Sequence, residues 1–278
     1  MPTFRYLLAA TTGLALLATA GTAVAAPFTF NPAASNPALS SAGSQFTADN
    51  IIFSQYSSIN IASNGSFSET GVLRVANFQS SGNALLPAGY NGTAGATPYS
   101  LYFTFTGTGT STGTGAGASG TFTSLTANLY GDLSNNDGAL TATTAGATFA
   151  NGTAGDVLLA TGSLQSGTVG LAQNPNASGS SPVLPSAFVL ANFTDVQPGA
   201  GSFFVVPSTL MFNLNSSFTN SDSVTTLVNT ATGIDLVING GGGNGTITSI
   251  ANPVPEPASM ALLGVGLAGI GLIRRRRA

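Results

Sequence analysis

The sequence predicts an all-β body, an antiparallel sandwich of jelly-roll type, set between two apolar terminal segments. Three observations predict it. Apolar residues along the middle of the 278-residue chain recur with period two more often than 3.6. The alternating runs are bounded by Gly, Pro, Asn-Gly and Asp-Gly, which is hairpin chemistry. Nothing between them offers an amphipathic helix with caps. With 43% hydrophobic residues the chain has the material for a core, so its low charge does not make it a disordered polymer.

The first element is a signal segment. Arg5 and the free amine give a small positive start, Leu7 to Ala20 form an apolar stretch, and Ala23-Val24-Ala25 is a small-x-small cleavage site. The apolar run is short for a membrane span. Cleavage after Ala25 would leave a mature chain starting near Ala26 and residues 26–252 as the body. The stretch from Pro27 to Ser44 is weakly patterned and reads as a loose leader.

Strands follow in order. Asn50 to Ala62 and Ser66 to Phe78 come first. In Tyr99 to Thr106 the odd positions are Tyr, Leu, Phe and Phe, while three of the four even ones are Ser or Thr, a strand with one wet face. Gly120 to Tyr130, Val157 to Leu164, Ala187 to Phe193 and Phe203 to Val206 continue the series. Thr209 to Thr219 repeats the alternation, and Ile234 to Ile238 and Thr246 to Ile250 close it. Two glycine-rich stretches interrupt the pattern. Gly107 to Ser119 holds no apolar side chain larger than Ala and reads as a mobile loop, and Asn239 to Gly245 as a flexible joint. About ten short strands without a dividing linker make one domain.

Composition excludes several chemistries. The chain has no Cys and no His, hence no usual zinc site, no Cys/His nucleophile pair, no Ser-His-Asp triad and no disulfide. The body carries Arg74 as its one basic residue against eight carboxylates, a poor surface for nucleic acid. Gly115-x-Gly117-x-x-Gly120 has dinucleotide-fingerprint spacing, but the strand sequence TFTSLTANLY follows where a helix is required. Asp132 to Gly138 gathers two carboxylates and two amides. It offers oxygen ligands to a calcium ion without EF-hand spacing, and reads first as a hairpin turn. Glycosidase chemistry needs two facing carboxylates, and spacing alone brings no two of Asp49, Glu69, Asp132, Asp137, Asp156, Asp195, Asp222 and Asp235 together. Glu69 and Arg74 read as a surface ion pair. No catalytic, cofactor or metal residue is assigned; the expectation is a non-enzymatic protein. An outer-membrane barrel is set aside, because the strands lack a lipid-facing apolar stripe.

The C-terminal segment, residues 253–278, is the most specific. Pro255 and Pro257 bracket Glu256, so this tripeptide does not continue a helix. Ala258 to Ile273 is free of charge and, as a helix, about 24 Å long at ~1.5 Å per residue, close to a membrane span. Arg274, Arg275, Arg276 and Arg277 then hold the end in the cytoplasm by the positive-inside rule.

Val254, Pro255, Glu256, Pro257 and Ala258, the apolar run and the four arginines together resemble the PEP-CTERM sorting signal. The resemblance implies export, an inner-membrane intermediate, cleavage near Pro255 by an exosortase-type transpeptidase, and delivery to the surface or extracellular matrix of a Gram-negative bacterium. Residues 46–220, with FTADNIIFSQYSSINIASNGSFSETGVLRVANFQ, YSLYFTFTGTGT, DVLLATGSL and FFVVPSTLMFNLNSSFTN, also resemble the flocculation-associated group of these proteins. That second resemblance implies a role in exopolysaccharide-associated aggregation, with a surface glycan as partner. Exposed sheet edges independently offer a route to self-association. A surface carbohydrate-binding or carbohydrate-cleaving module is the alternative.

Overall fold

The computed structural model describes residues 28–33, 45–92, 98–133, 135, 139–149, 153–173, 183–196, 203–205, 209–217 and 225–249. The signal segment, with Ala23 and Ala25, and the sorting segment, with Val254 to Ala258 and Arg274 to Arg277, lie outside them. The described elements are β1 (Phe28–Phe30), β2 (Phe46–Ala48), β3 (Asn50–Ala62), β4 (Ser66–Ser80), β5 (Asn83–Leu85), β6 (Ser100–Thr112) and β7 (Ser119–Asp132). They continue with β8 (Thr141–Thr143), β9 (Gly146–Thr148), β10 (Val157–Gln173), β11 (Val183–Asp195), β12 (Thr209–Ser217), β13 (Thr225–Thr230) and β14 (Gly233–Ser249).

All pairings between these strands are antiparallel, as the alternation predicts. The large sheet runs β12-β11-β10-β7-β6-β4-β3-β14, and β12 pairs again with β14. The sheet therefore closes on itself as a barrel. Opposite walls face each other across one apolar core, as in a sandwich. The jelly-roll connectivity is corrected, however: neighbours in this ring are successive strands of a meander, with no Greek-key crossover. Closure comes from the length of β14. Its first half pairs with β13 and its second half with β12, while β3 lines its other edge from Gly233 to Thr246.

Both glycine-rich stretches belong to strands, and the reason is steric. β6 continues to Thr112, so the expected loop shrinks to the turn at 113–118. Its glycines face inward and its threonines outward. A Cβ on Gly107 would lie 2.8 Å from the Phe122 ring, and one on Gly109 would overlap Phe67 and the Thr121 main chain. The same device runs round the barrel. In the register row Gly71, Phe105, Ala127, Gly162, Phe193, each ring lies beside a glycine or alanine. A Cβ on Gly162 would sit 2.6 Å from the Phe193 ring. An eight-stranded barrel is narrow, so the glycines of this row make room for the rings beside them. Asn239 to Gly245 likewise lies within β14, with a bulge between Asn239 and Gly241.

One end of the barrel is closed by rings. β1 packs Phe28 and Phe30 against Phe204 and Phe203, and Phe30 and Phe46 against Phe78. Phe28 and Phe30 are buried, so the leader expected over 27–44 is a structural strand at its start. The Asp195 carboxylate accepts the Phe204 N–H at 2.9 Å, and the Tyr90 hydroxyl donates to the Val75 carbonyl at 2.6 Å. The hairpin β8–β9 covers part of the outer wall. Asn239 clamps it by accepting the Ala142 N–H and donating to the Ala142 carbonyl, and Ser58 donates to Thr144 O.

Candidate functional site

The interior of the barrel is apolar except at its middle. Parity decides which side chains enter: along β4 the odd positions Phe67, Glu69, Gly71, Leu73 and Val75 are buried. Glu69 is therefore inside, 3% exposed, and Arg74, an odd number of residues away, is on the opposite face. This corrects the surface ion pair. Arg74 instead donates to Asn135 Oδ1 at 3.4 Å.

Glu69 is held by two polar neighbours from β3. Both amide hydrogens of Gln55 are used, one donated to Glu69 Oε1 and one to Ser57 Oγ, each at 2.9 Å. Ser57 also hydrogen-bonds Glu69. Burial raises the Glu69 carboxyl to about 7, against the smaller opposing effect of the Ser57 and Gln55 hydrogen bonds. Cavities of about 50 and 30 Å³ adjoin this group, and Gln55 and Glu69 line both. Sequence reasoning missed the cluster, although the strand parity that places Glu69 inward was available in Phe67, Leu73 and Val75.

Among the other acidic residues, Asp132 and Asp156 lie close enough to interact. Asp49 accepts the Ser81 N–H at 2.7 Å, and Asp235 accepts from Asn60 at 2.6 Å on the outer wall. Asp132 is buried and accepts from Ser100 at 3.3 Å. The Tyr102 hydroxyl donates to Asp156. Burial raises the Asp156 carboxyl above its usual range, the Tyr102 bond opposes this, and the nearby Asp132 adds to it. Asp137 and Asp222 lie outside the described residues. Among the described residues no three acidic, His or Cys side chains gather as a metal site. The turn at 113–118 passes into strand β7, so Gly115, Gly117 and Gly120 make no phosphate-binding helix start.

The outer wall of β6, β7 and β10 is hydroxyl-bearing. Thr106 pairs with Thr126 at 2.9 Å, Thr108 with Ser124 at 2.7 Å and Thr112 with Ser119 at 3.2 Å. Towards the end of this wall lies an open groove of about 450 Å³, lined by Thr110, Thr112, Ser119, Thr121 and Thr168 among others.

Fold and wall define the class: an antiparallel β-barrel with an apolar, aromatic-rich interior and, over β6, β7 and β10, a hydroxyl-bearing outer wall. The chain carries, at residues 253–277, a match to the PEP-CTERM protein-sorting motif. That motif supports an exported protein sorted by exosortase. No curated protein and no solved structure matches it.

Proposed function

We propose that the barrel is a non-catalytic surface or extracellular-matrix protein that supports exopolysaccharide-associated aggregation after exosortase removes its tail. One observation carries this reading: a sorting motif is joined to a barrel whose exposed wall presents paired hydroxyls and almost no charge. Such a wall offers hydrogen-bond donors and acceptors to neutral or acidic glycan without long-range repulsion. Self-association by open sheet edges loses support, since the β12–β14 pairing leaves few edges. A deletion strain tests the role: reduced flocculation, restored by the full gene but not by one lacking 253–278, is expected. Normal flocs in the deletion strain refute it.

A carbohydrate-binding module is favoured as a second reading by the groove at Thr110, Thr121 and Thr168. It predicts retention on an immobilised neutral glycan that the triple alanine variant loses.

The sorting segment has its own test. Replacing Pro255, Glu256 and Pro257 by alanine should leave an unprocessed chain in the inner membrane. Unaltered release of that variant would refute exosortase cleavage at this tripeptide.

A further inference from the structure

The groove on the outer wall runs across the strands, and strand parity explains its shape. Ser111, Gly120 and Val169 form one register row. Val169 packs on the core and Ser111 lines the smaller interior cavity, so this row points inward and leaves bare backbone as an outer floor. The rows on either side point outward. Thr110, Thr121 and Thr168 make one wall, and Thr112 and Ser119 the other. In that second row β10 contributes Gly170, so the wall drops away there. Two residues separate the walls along a strand, about 7 Å. At about 450 Å³ the groove has the size of an ordinary ligand cleft.

Two further features bear on what it holds. Elsewhere on this wall the hydroxyls bond each other, as in Thr106 with Thr126, Thr108 with Ser124 and Thr112 with Ser119. Thr110, Thr121 and Thr168 are exposed, and no side-chain hydrogen bond occupies them among the described residues. Phe188 on β11 is the register partner of Thr168, so the first wall continues into an aromatic ring. From Thr110 to Phe188 is three strand spacings, about 14 Å at ~4.8 Å each. Phe188 is 42% exposed. A scattered exposed apolar residue needs no explanation, but this one ends a row of three available hydroxyls beside a groove.

The chemistry of the row selects the occupant. A pyranose with equatorial hydroxyls has flat C–H faces and a polar rim. An aromatic face covers the first, and threonine hydroxyls donate to and accept from the second. No residue lining the groove is ionisable, so a charged sugar gains no counter-ion there.

We propose that Phe188 is the stacking platform of a site for a neutral glycan of equatorial pyranoses, laid across β6, β7, β10 and β11 with its rim on Thr110, Thr121 and Thr168. This deepens the carbohydrate-binding reading given above and rests on it.

The test titrates the full chain in lipid nanodiscs with cellotetraose, read by amide NMR and calorimetry. Saturable shifts at Thr110, Thr121, Thr168 and Phe188 are expected. Phe188→Ala should raise Kd roughly tenfold while keeping a dispersed spectrum, and Phe188→Tyr, which retains the ring, should bind like the wild type. Thr121→Val with Thr168→Val removes two hydroxyls at nearly constant shape and should also weaken binding. The same tetrasaccharide oxidised to the uronate at C6 should bind more weakly than the neutral form. Equal affinity of Phe188→Ala and the wild type, with binding lost in the Thr110, Thr121 and Thr168 triple alanine variant, would overturn the platform and leave the groove reading standing. Equal or tighter binding of the uronate would overturn the neutral specificity. Absence of saturable binding in the wild type would overturn both the platform and the reading beneath it.

Discussion

Replacing Glu69 by glutamine should make the barrel more stable at pH 8 and change little at pH 4. The native carboxyl titrates near 7 because it is buried, against 4.5 as its ordinary value. Between those two values the folded chain holds a proton that the unfolded chain has released. Stability therefore falls as pH rises through this window, and is fully present below about 4.5. At ~1.4 kcal/mol per pH unit the loss amounts to about 3 kcal/mol by pH 8. Glutamine preserves the shape and the neutral state, so its profile lacks this loss. Urea unfolding followed by far-UV circular dichroism at pH 4, 6 and 8 measures it, and the wild-type midpoint should drop by about 1 M relative to the variant. Asp156 also titrates upward in the folded barrel, but it is common to both proteins and cancels in the difference. Parallel wild-type and variant profiles would show that Glu69 is ionised or hydrated in the native state, and the account of the interior would fail.

Three further outcomes follow from the geometry. Gly109→Ala should cost on the order of 2–3 kcal/mol because its Cβ overlaps Phe67 and the Thr121 main chain, whereas Gly115→Ala, with nothing within 4 Å, should stay within about 0.5 kcal/mol in the same urea assay. Asn239→Ala removes both bonds to Ala142, so amide exchange at Ala142 and across β8–β9 should accelerate while the barrel strands stay protected. Tyr102→Phe deletes the bond that favours ionised Asp156, and carboxyl NMR should then place the Asp156 titration higher than in the wild type.

Much of the barrel was legible in the sequence, and the parts that were not share a cause. The pattern in Tyr99 to Thr106 identifies its strand because the apolar residues themselves mark the inner face. Gly107, Gly109, Gly241 and Gly243 carry no such mark. A glycine facing inward is indistinguishable in sequence from one in a loop until the ring that covers it is known, and Phe122 and Phe67 come from other strands. Closure was hidden for the same reason. It depends on Gly243 to Ser249 pairing with β12, a contact between backbones that glycines permit and no side chain announces. Glu69 differs: its inward direction followed from Phe67 and Leu73 two and four residues away, and only the assumption that charge belongs outside concealed it.

The topology also constrains how the tail is presented. β14 ends at Ser249 at the same end of the barrel as the aromatic plug formed by β1, Phe203 and Phe204. Chain leaving for the sorting motif and chain entering from the N-terminal segment thus meet one face. Pro255 lies six positions beyond Ser249, a reach of at most roughly 20 Å at ~3.4 Å per residue. An exosortase in the membrane must therefore work close beneath the plug. Deleting 250–252 halves that reach and should slow tail removal several-fold in pulse-chase labelling, while inserting six Gly/Ser residues there should leave the rate unchanged. Equal rates for deletion and insertion would mean that the barrel does not hinder the enzyme, and that the motif is read without regard to what precedes it.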